Sequence, residues 1–108
     1  MNKTQWLKLE IFIPASHLEV IKATLQKVDA GNIGNYDSCL TYSTVKSTWR
    51  PLDGAKPYIG PPGAVSEEEE IKVEVNVKCD RLNETVATIR RVHPYEEPLI
   101  NAIPLYMV

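Results

Sequence analysis

His93, Tyr95, Glu96 and Glu97 fall within five positions of one another in the stretch VHPYEEP (residues 92–98), fenced by Pro94 and Pro98. An imidazole beside carboxylates can act as a general acid–base pair, or contribute to a divalent-metal site. A metal site needs three or four converging ligands, however, and this stretch by itself guarantees one or two, with His93 and Glu96 the metal candidates. Three uses are open: a rigid corner or subunit contact, a ligand or metal contact, and catalysis. The residue types favour them in that order.

Two other clusters carry polar chemistry. In GNIGNYDSC (residues 31–39), Gly-Asn turns can aim backbone N–H groups at an anion, and Asn35, Tyr36 and Asp37 are candidate ligand contacts. The stretch lacks a GxGxxG pattern and leads into a strand, so a phosphate cradle does not fit. Cys39 has no neighbouring base in sequence, and a buried inert thiol is expected there, as at Cys79. In DGAKPYIGPPG (residues 53–63), Lys56 and Tyr58 could grip an anionic ligand if the loop closes over a cleft. The plainer expectation is a rigid loop whose path is pinned by Pro and Gly. His17 is expected to be a solvated surface residue.

These clusters must be held by regular elements. Leu7, Leu9, Ile11 and Ile13 alternate with Lys8, Glu10 and Phe12, the period of a half-buried strand ended by Pro14. Ser16 and Glu19 form an S-x-x-E capping box, which predicts a helix from His17 with a core stripe of Leu18, Ile21, Leu25 and Val28. Gly31 and Gly34 can take the positive φ that closes it and opens a turn. SCLTYSTV reads as a second strand, with STWRPL as its hairpin partner or its extension. The next 17 residues, DGAKPYIGPPGAVSEEE, hold three glycines and three prolines and read as a long ordered loop. The run Glu67–Glu70 within and beside it reads as a solvated lead-in to a strand. IKVEVNVKC then places Ile71, Val73, Val75 and Val77 on one face. Asp80 is the expected N-cap of a second helix with the stripe Leu82, Val86, Ile89 and Val92, ended at His93–Pro94. LINAIPLYMV is the last strand, at a sheet edge or bulge because Pro104 lacks an N–H.

This βαββαβ order predicts an α+β ferredoxin-like sandwich, an antiparallel sheet with two helices on one face, formed by a single domain over residues 1–108. The helix-free face would show Trp6, Lys8, Glu10 and Phe12. Trp6 and Phe12 suit a subunit interface better than water.

With 108 residues, 44% hydrophobic and 24% charged, the chain has the composition of an ordinary globular domain. A net charge of −2 without a basic stripe excludes a nucleic-acid partner. Two cysteines 40 positions apart form no zinc knuckle. Lys8 and Glu10 interrupt the N-terminal apolar stretch, so neither a signal peptide nor a membrane span is expected, and the cytoplasm is the expected compartment.

IGNYDSC, WRPLDGAKPYIGPPG, the strand motif E-x-x-I-x-V-E-V from Glu68 and HPYEEP occur in that order. Together they resemble the PII/CutA-like domain inserted in the GTP cyclohydrolase I type 2 homologues, the NGG-interacting-factor family, here as a stand-alone protein. The resemblance runs from Trp6 to about Leu105. It implies a ferredoxin-like fold that associates as a homotrimer, as PII and CutA proteins do. It also implies that the two-metal centre of the larger homologues takes its ligands from flanking halves absent from these residues. The first expectation is therefore a non-enzymatic trimeric module with a ligand or divalent-metal contact at subunit boundaries. Its rim would draw on His93, Tyr95, Glu96, Glu97, Asn35, Tyr36, Asp37 and Lys56. The alternatives are a metal-dependent hydrolase-type enzyme using His93 with Glu96 or Glu97, and an adaptor that binds a protein partner through the sheet face or the Pro104 edge.

Overall fold

The computed structural model describes residues 5–108. Its elements are β1 (Trp6–Ile13), α1 (Leu18–Lys27), β2 (Leu40–Trp49), β3 (Ser66–Lys78), α2 (Leu82–Val92) and β4 (Ile100–Leu105). The four strands form one antiparallel sheet in the order β2-β3-β1-β4. Each helix links two strands that flank a third, the split arrangement of the ferredoxin-like α+β fold.

Alternation along β1 is strict. Leu7, Leu9, Ile11 and Ile13 are buried, while their neighbours are half-buried. Val73, Val75 and Val77 of β3 pair directly with Ile11, Leu9 and Leu7, so the two central strands present one continuous aliphatic surface. Ile21 and Leu25 of α1 and Ile89 of α2 close over it and are fully buried. Burying one such side chain stabilises the fold by about 1.5–3 kcal/mol, which makes this layer the main reason the helices stay on this side.

Both helices begin differently from expectation. Each is preceded by a 3-10 turn, Ala15–His17 and Cys79–Arg81, and no side chain caps either start. Ser16 turns its hydroxyl to Nδ1 of its neighbour His17 (2.9 Å), so the capping box does not form. Asp80 lies inside the second 3-10 turn and caps nothing. α1 ends in a Schellman motif. The Ala30 N–H donates to Leu25 O and the Asp29 N–H to Gln26 O, with Asp29 at φ 60°. Asp29 therefore makes the turn expected of Gly31. Gly31 instead permits a close approach of two backbones, since at φ 81° a Cβ there would come within 2.6 Å of Cys39 O.

β2 is one unbroken ten-residue strand, so STW extends it and forms no hairpin partner. β3 begins at Ser66, inside the segment expected to be loop. Cys39 is half-buried and Cys79 exposed, against the expectation of buried thiols. On the helix-free face, Lys72 bridges Glu10 (3.2 Å) and Glu74 (3.4 Å), and Lys8 reaches Glu74 (3.1 Å). Hydrogen bonding to Glu10 raises the Lys72 pKa above its ordinary value, and hydrogen bonding to Lys8 lowers that of Glu74.

Candidate functional site

β1 covers only Ile71–Lys78 of β3; residues 66–70 pair with β2 alone, Glu70 opposite Val45 and Ser66 opposite Trp49. A two-stranded ribbon therefore projects beyond the four-stranded sheet. By strand alternation, Phe12, Glu70 and Trp49 share the helix-free side. The loop between β2 and β3 folds back against the ribbon here. The Trp49 indole Nε1–H donates to Ile59 O (3.0 Å), and Gly60 at φ 99° lies so close to Ser66 that a Cβ would collide with its hydroxyl.

The HPYEEP corner closes the other side. Pro94 forces its predecessor out of the helical region, and His93 leaves α2 extended, with φ −73° and ψ 133°. That backbone turns the imidazole inward, and His93 as a whole is 8% exposed. Nε2 bonds Phe12 O (2.8 Å), and Nδ1 accepts the Tyr95 N–H (3.2 Å). These two bonds assign the proton to Nε2. Burial lowers the His93 pKa, outweighing the Phe12 carbonyl and the Glu70 charge, which raise it. The ring is thus a neutral clip between a strand carbonyl and a corner amide, with both nitrogens in use.

Tyr95 follows from that clip. Its hydroxyl donates to Glu70 Oε2 (2.5 Å), while its ring contacts those of His93, Trp49 and Tyr58 at centroid distances of 4.9, 6.3 and 5.9 Å. Burial, then the Glu70 hydrogen bond, push the phenol pKa well above its ordinary range. Glu96 Oε2 accepts the backbone N–H of Lys56 (2.9 Å), which ties the corner to the loop. Between these parts lies a cleft of about 630 Å³. Phe12, Trp49, Tyr58 and Leu99 form its apolar walls, and Glu70, Tyr95, Glu96, Glu97 and Arg50 supply its polar groups.

The corner residues Tyr95, Glu96 and Glu97 do come together, joined by Phe12, which the sequence suggests for the interface. Lys56 contributes its backbone N–H rather than its ammonium group. Asn35, Tyr36 and Asp37 are exposed and lie elsewhere. Their loop is anchored by the Gly31 N–H to Asn76 O, six residues along β3 from Glu70 and so about 20 Å away. His93 and Glu96 face different partners, and among the described residues no three His, Cys, Asp or Glu side chains converge as metal ligands do. His17 is not simply solvated; it meets Tyr58 edge-on at 6.0 Å. Glu67, Glu68 and Glu69 are exposed, but Glu70 is 5% exposed and belongs to the site. Trp49 and Glu70 are site residues not among the sequence candidates, although Trp49 opens WRPLDGAKPYIGPPG and Glu70 ends the acidic run. Period-two parity through Lys72 could have put Glu70 on the Phe12 side, but only the strand register adds Trp49.

No family model matches the chain. A GTP cyclohydrolase 1 type 2 homolog from Halalkalibacterium halodurans is 39% identical over 98 residues, 91% of this chain. The chain matches one segment of the GTP cyclohydrolase 1 type 2 homologues and has a PII/CutA-like fold. It spans about a quarter (26%) of that relative's length. A Bacillus cereus protein related to NIF3 superposes with a TM-score of 0.83 at 27% identity, over 97% of this chain and 27% of its own. The CutA periplasmic divalent cation tolerance protein of Archaeoglobus fulgidus, 19% identical, superposes with a TM-score of 0.71 over 95% of this chain and 86% of its own. The family's PII/CutA-like fold is thus shared with proteins little longer than these residues.

Proposed function

We propose that this PII/CutA-like domain is a non-enzymatic module that works as a homotrimer and binds a small ligand in the cleft beside HPYEEP. The observation that carries the assembly is the open edge of β2. This strand runs for ten residues without proline and with Lys46 as its one charged side chain, and it bonds a neighbour, β3, on one side only. Natural sheets blunt such edges with prolines, bulges or clusters of charge, because the unpaired N–H and C=O groups recruit another strand. The ribbon adds weight, since two strands alone are marginal in water. The number three comes from the family resemblance. β4 offers a second open edge, and two different contact surfaces per copy close naturally into a ring.

A non-enzymatic role fits the state of His93, whose two nitrogens already serve the fold. In the trimer, Asn35, Tyr36 and Asp37 of one copy would meet the cleft of the next, making the rim that a single chain does not form, and Trp6 would be covered by a neighbour. The cytoplasm remains the compartment we assign to the module. No helix among the described residues is long and apolar enough to cross a membrane.

Amide hydrogen exchange along Leu40–Trp49 tests the assembly. In one chain, alternate N–H groups of β2 face β3 and the others face outward. Pairing through this edge protects both sets. Outward amides that exchange at unprotected rates in concentrated protein would overturn the proposal.

A further inference from the structure

We infer that the cleft's ligand is a small organic cation, an alkylated ammonium ion seated among Trp49, Tyr58 and Tyr95 with its charge answered by Glu70. This rests on reading the cleft as a ligand site, and the rings and carboxylate it uses, Trp49, Tyr58, Tyr95 and Glu70, all belong to one copy.

Charge gives the first reason. Glu70 is 5% exposed, and among the described residues its side chain accepts one hydrogen bond, from the Tyr95 hydroxyl, and pairs with no Lys or Arg. A carboxylate withdrawn from water with a single donor lacks the compensation that buried charges ordinarily have. Glu96 and Glu97 add two more carboxylates at the cleft, against one guanidinium, Arg50. The cleft is therefore short of positive charge, and an anionic ligand would meet three carboxylates against one guanidinium.

The aromatic wall gives the second. Three rings, with Tyr95 in contact with both Trp49 and Tyr58, lie along the same cleft as Glu70. Ring faces attract cations, and the attraction grows when water is excluded, which is how quaternary ammonium ions are recognised elsewhere. A hard divalent ion would ask for several oxygen ligands at short range, which rings cannot supply. A neutral apolar ligand would leave Glu70 uncompensated. An alkylated ammonium ion satisfies both the rings and the carboxylate. At about 630 Å³ the cleft also has room for the body of such a molecule beyond its head group.

The test is a titration with choline, and with its neutral carbon isostere in which a tert-butyl group replaces the trimethylammonium. It is followed through the indole N–H resonance of Trp49, assigned with Trp6→Phe. Choline is expected to shift that resonance saturably and to bind at least tenfold more tightly than the isostere. Glu70→Gln, which keeps an acceptor for Tyr95, is expected to weaken choline about tenfold and leave the isostere unchanged. Tyr58→Ala, at a half-exposed loop position, is expected to weaken choline severalfold with the fold intact, and guards against misfolding of the first variant. Equal affinity for choline and the isostere, or no shift up to millimolar choline, would overturn the inference. Mass measured on the same samples separates failure of the ligand class from failure of the assembly.

Discussion

Replacing His93 with Ala removes a clip and not a catalyst, and its cost can be worked from the two bonds the ring makes. Phe12 O loses the Nε2–H donor at 2.8 Å, and the Tyr95 N–H loses the Nδ1 acceptor at 3.2 Å. Each bond contributes about 1 kcal/mol net, and a group left buried without a partner costs about 1–3 kcal/mol. The ring contact with Tyr95 is lost as well. We expect a loss of about 2–4 kcal/mol, or roughly 10–20 °C in Tm for a domain of this size.

The pH dependence identifies the cause. Burial depresses the His93 pKa, so the unfolded chain takes up its proton first as pH falls below the ordinary histidine value of about 6.5. Stability contributed by the neutral ring is complete above that value and is lost progressively down to the folded pKa. His93→Ala has no such ring, so the gap between the two proteins is widest near neutrality and narrows on acidification. Urea denaturation at fixed protein concentration, repeated from pH 8 to pH 5, measures both effects. A loss under about 0.5 kcal/mol, or a gap independent of pH, would refute the role given to the ring.

Two further outcomes follow from the same geometry. Gly31→Ala must hold a side chain at positive φ and push its Cβ into Cys39 O, whereas Gly34→Ala meets open space at φ 57°. Thermal denaturation should show about 1–2 kcal/mol lost for Gly34→Ala and clearly more for Gly31→Ala. In a spectrophotometric titration, Tyr95 should stay protonated beyond the ordinary tyrosine range near pH 10, and Glu70→Gln should bring its ionisation down.

Much of this fold is legible in the residues, and the reason is burial. β1 and β3 are central strands with one face on the core, so Leu7–Ile13 and Ile71–Val77 had to alternate, and Ile21, Leu25 and Ile89 had to repeat at helical spacing. The helix starts are not legible in the same way, because a capping sequence states what a side chain can do, while Ser16 has a nearer partner in His17. Strand continuity is obscured at the ribbon, where β2 and β3 leave the core and the alternation of apolar residues fades. For the same reason Glu70 looks, in sequence, like part of an exposed acidic run.

The site is half visible. HPYEEP declares itself because its residues are adjacent, and Pro94 makes the corner predictable. Trp49, Tyr58 and Glu70 come from a strand end, a loop and another strand, and only the pairing of Trp49 with Ser66 and of Val45 with Glu70 brings them to one cleft. Reading by clusters joins the Tyr36–Asp37 loop to HPYEEP, although β3 holds the two at opposite ends. In the proposed trimer that union takes place between copies.

The mass of the unmodified protein in solution tests the proposed assembly most directly. Light scattering at micromolar concentration is predicted to return three times the 12.2 kDa of one chain. A value of one chain mass, unchanged on tenfold concentration, would contradict it.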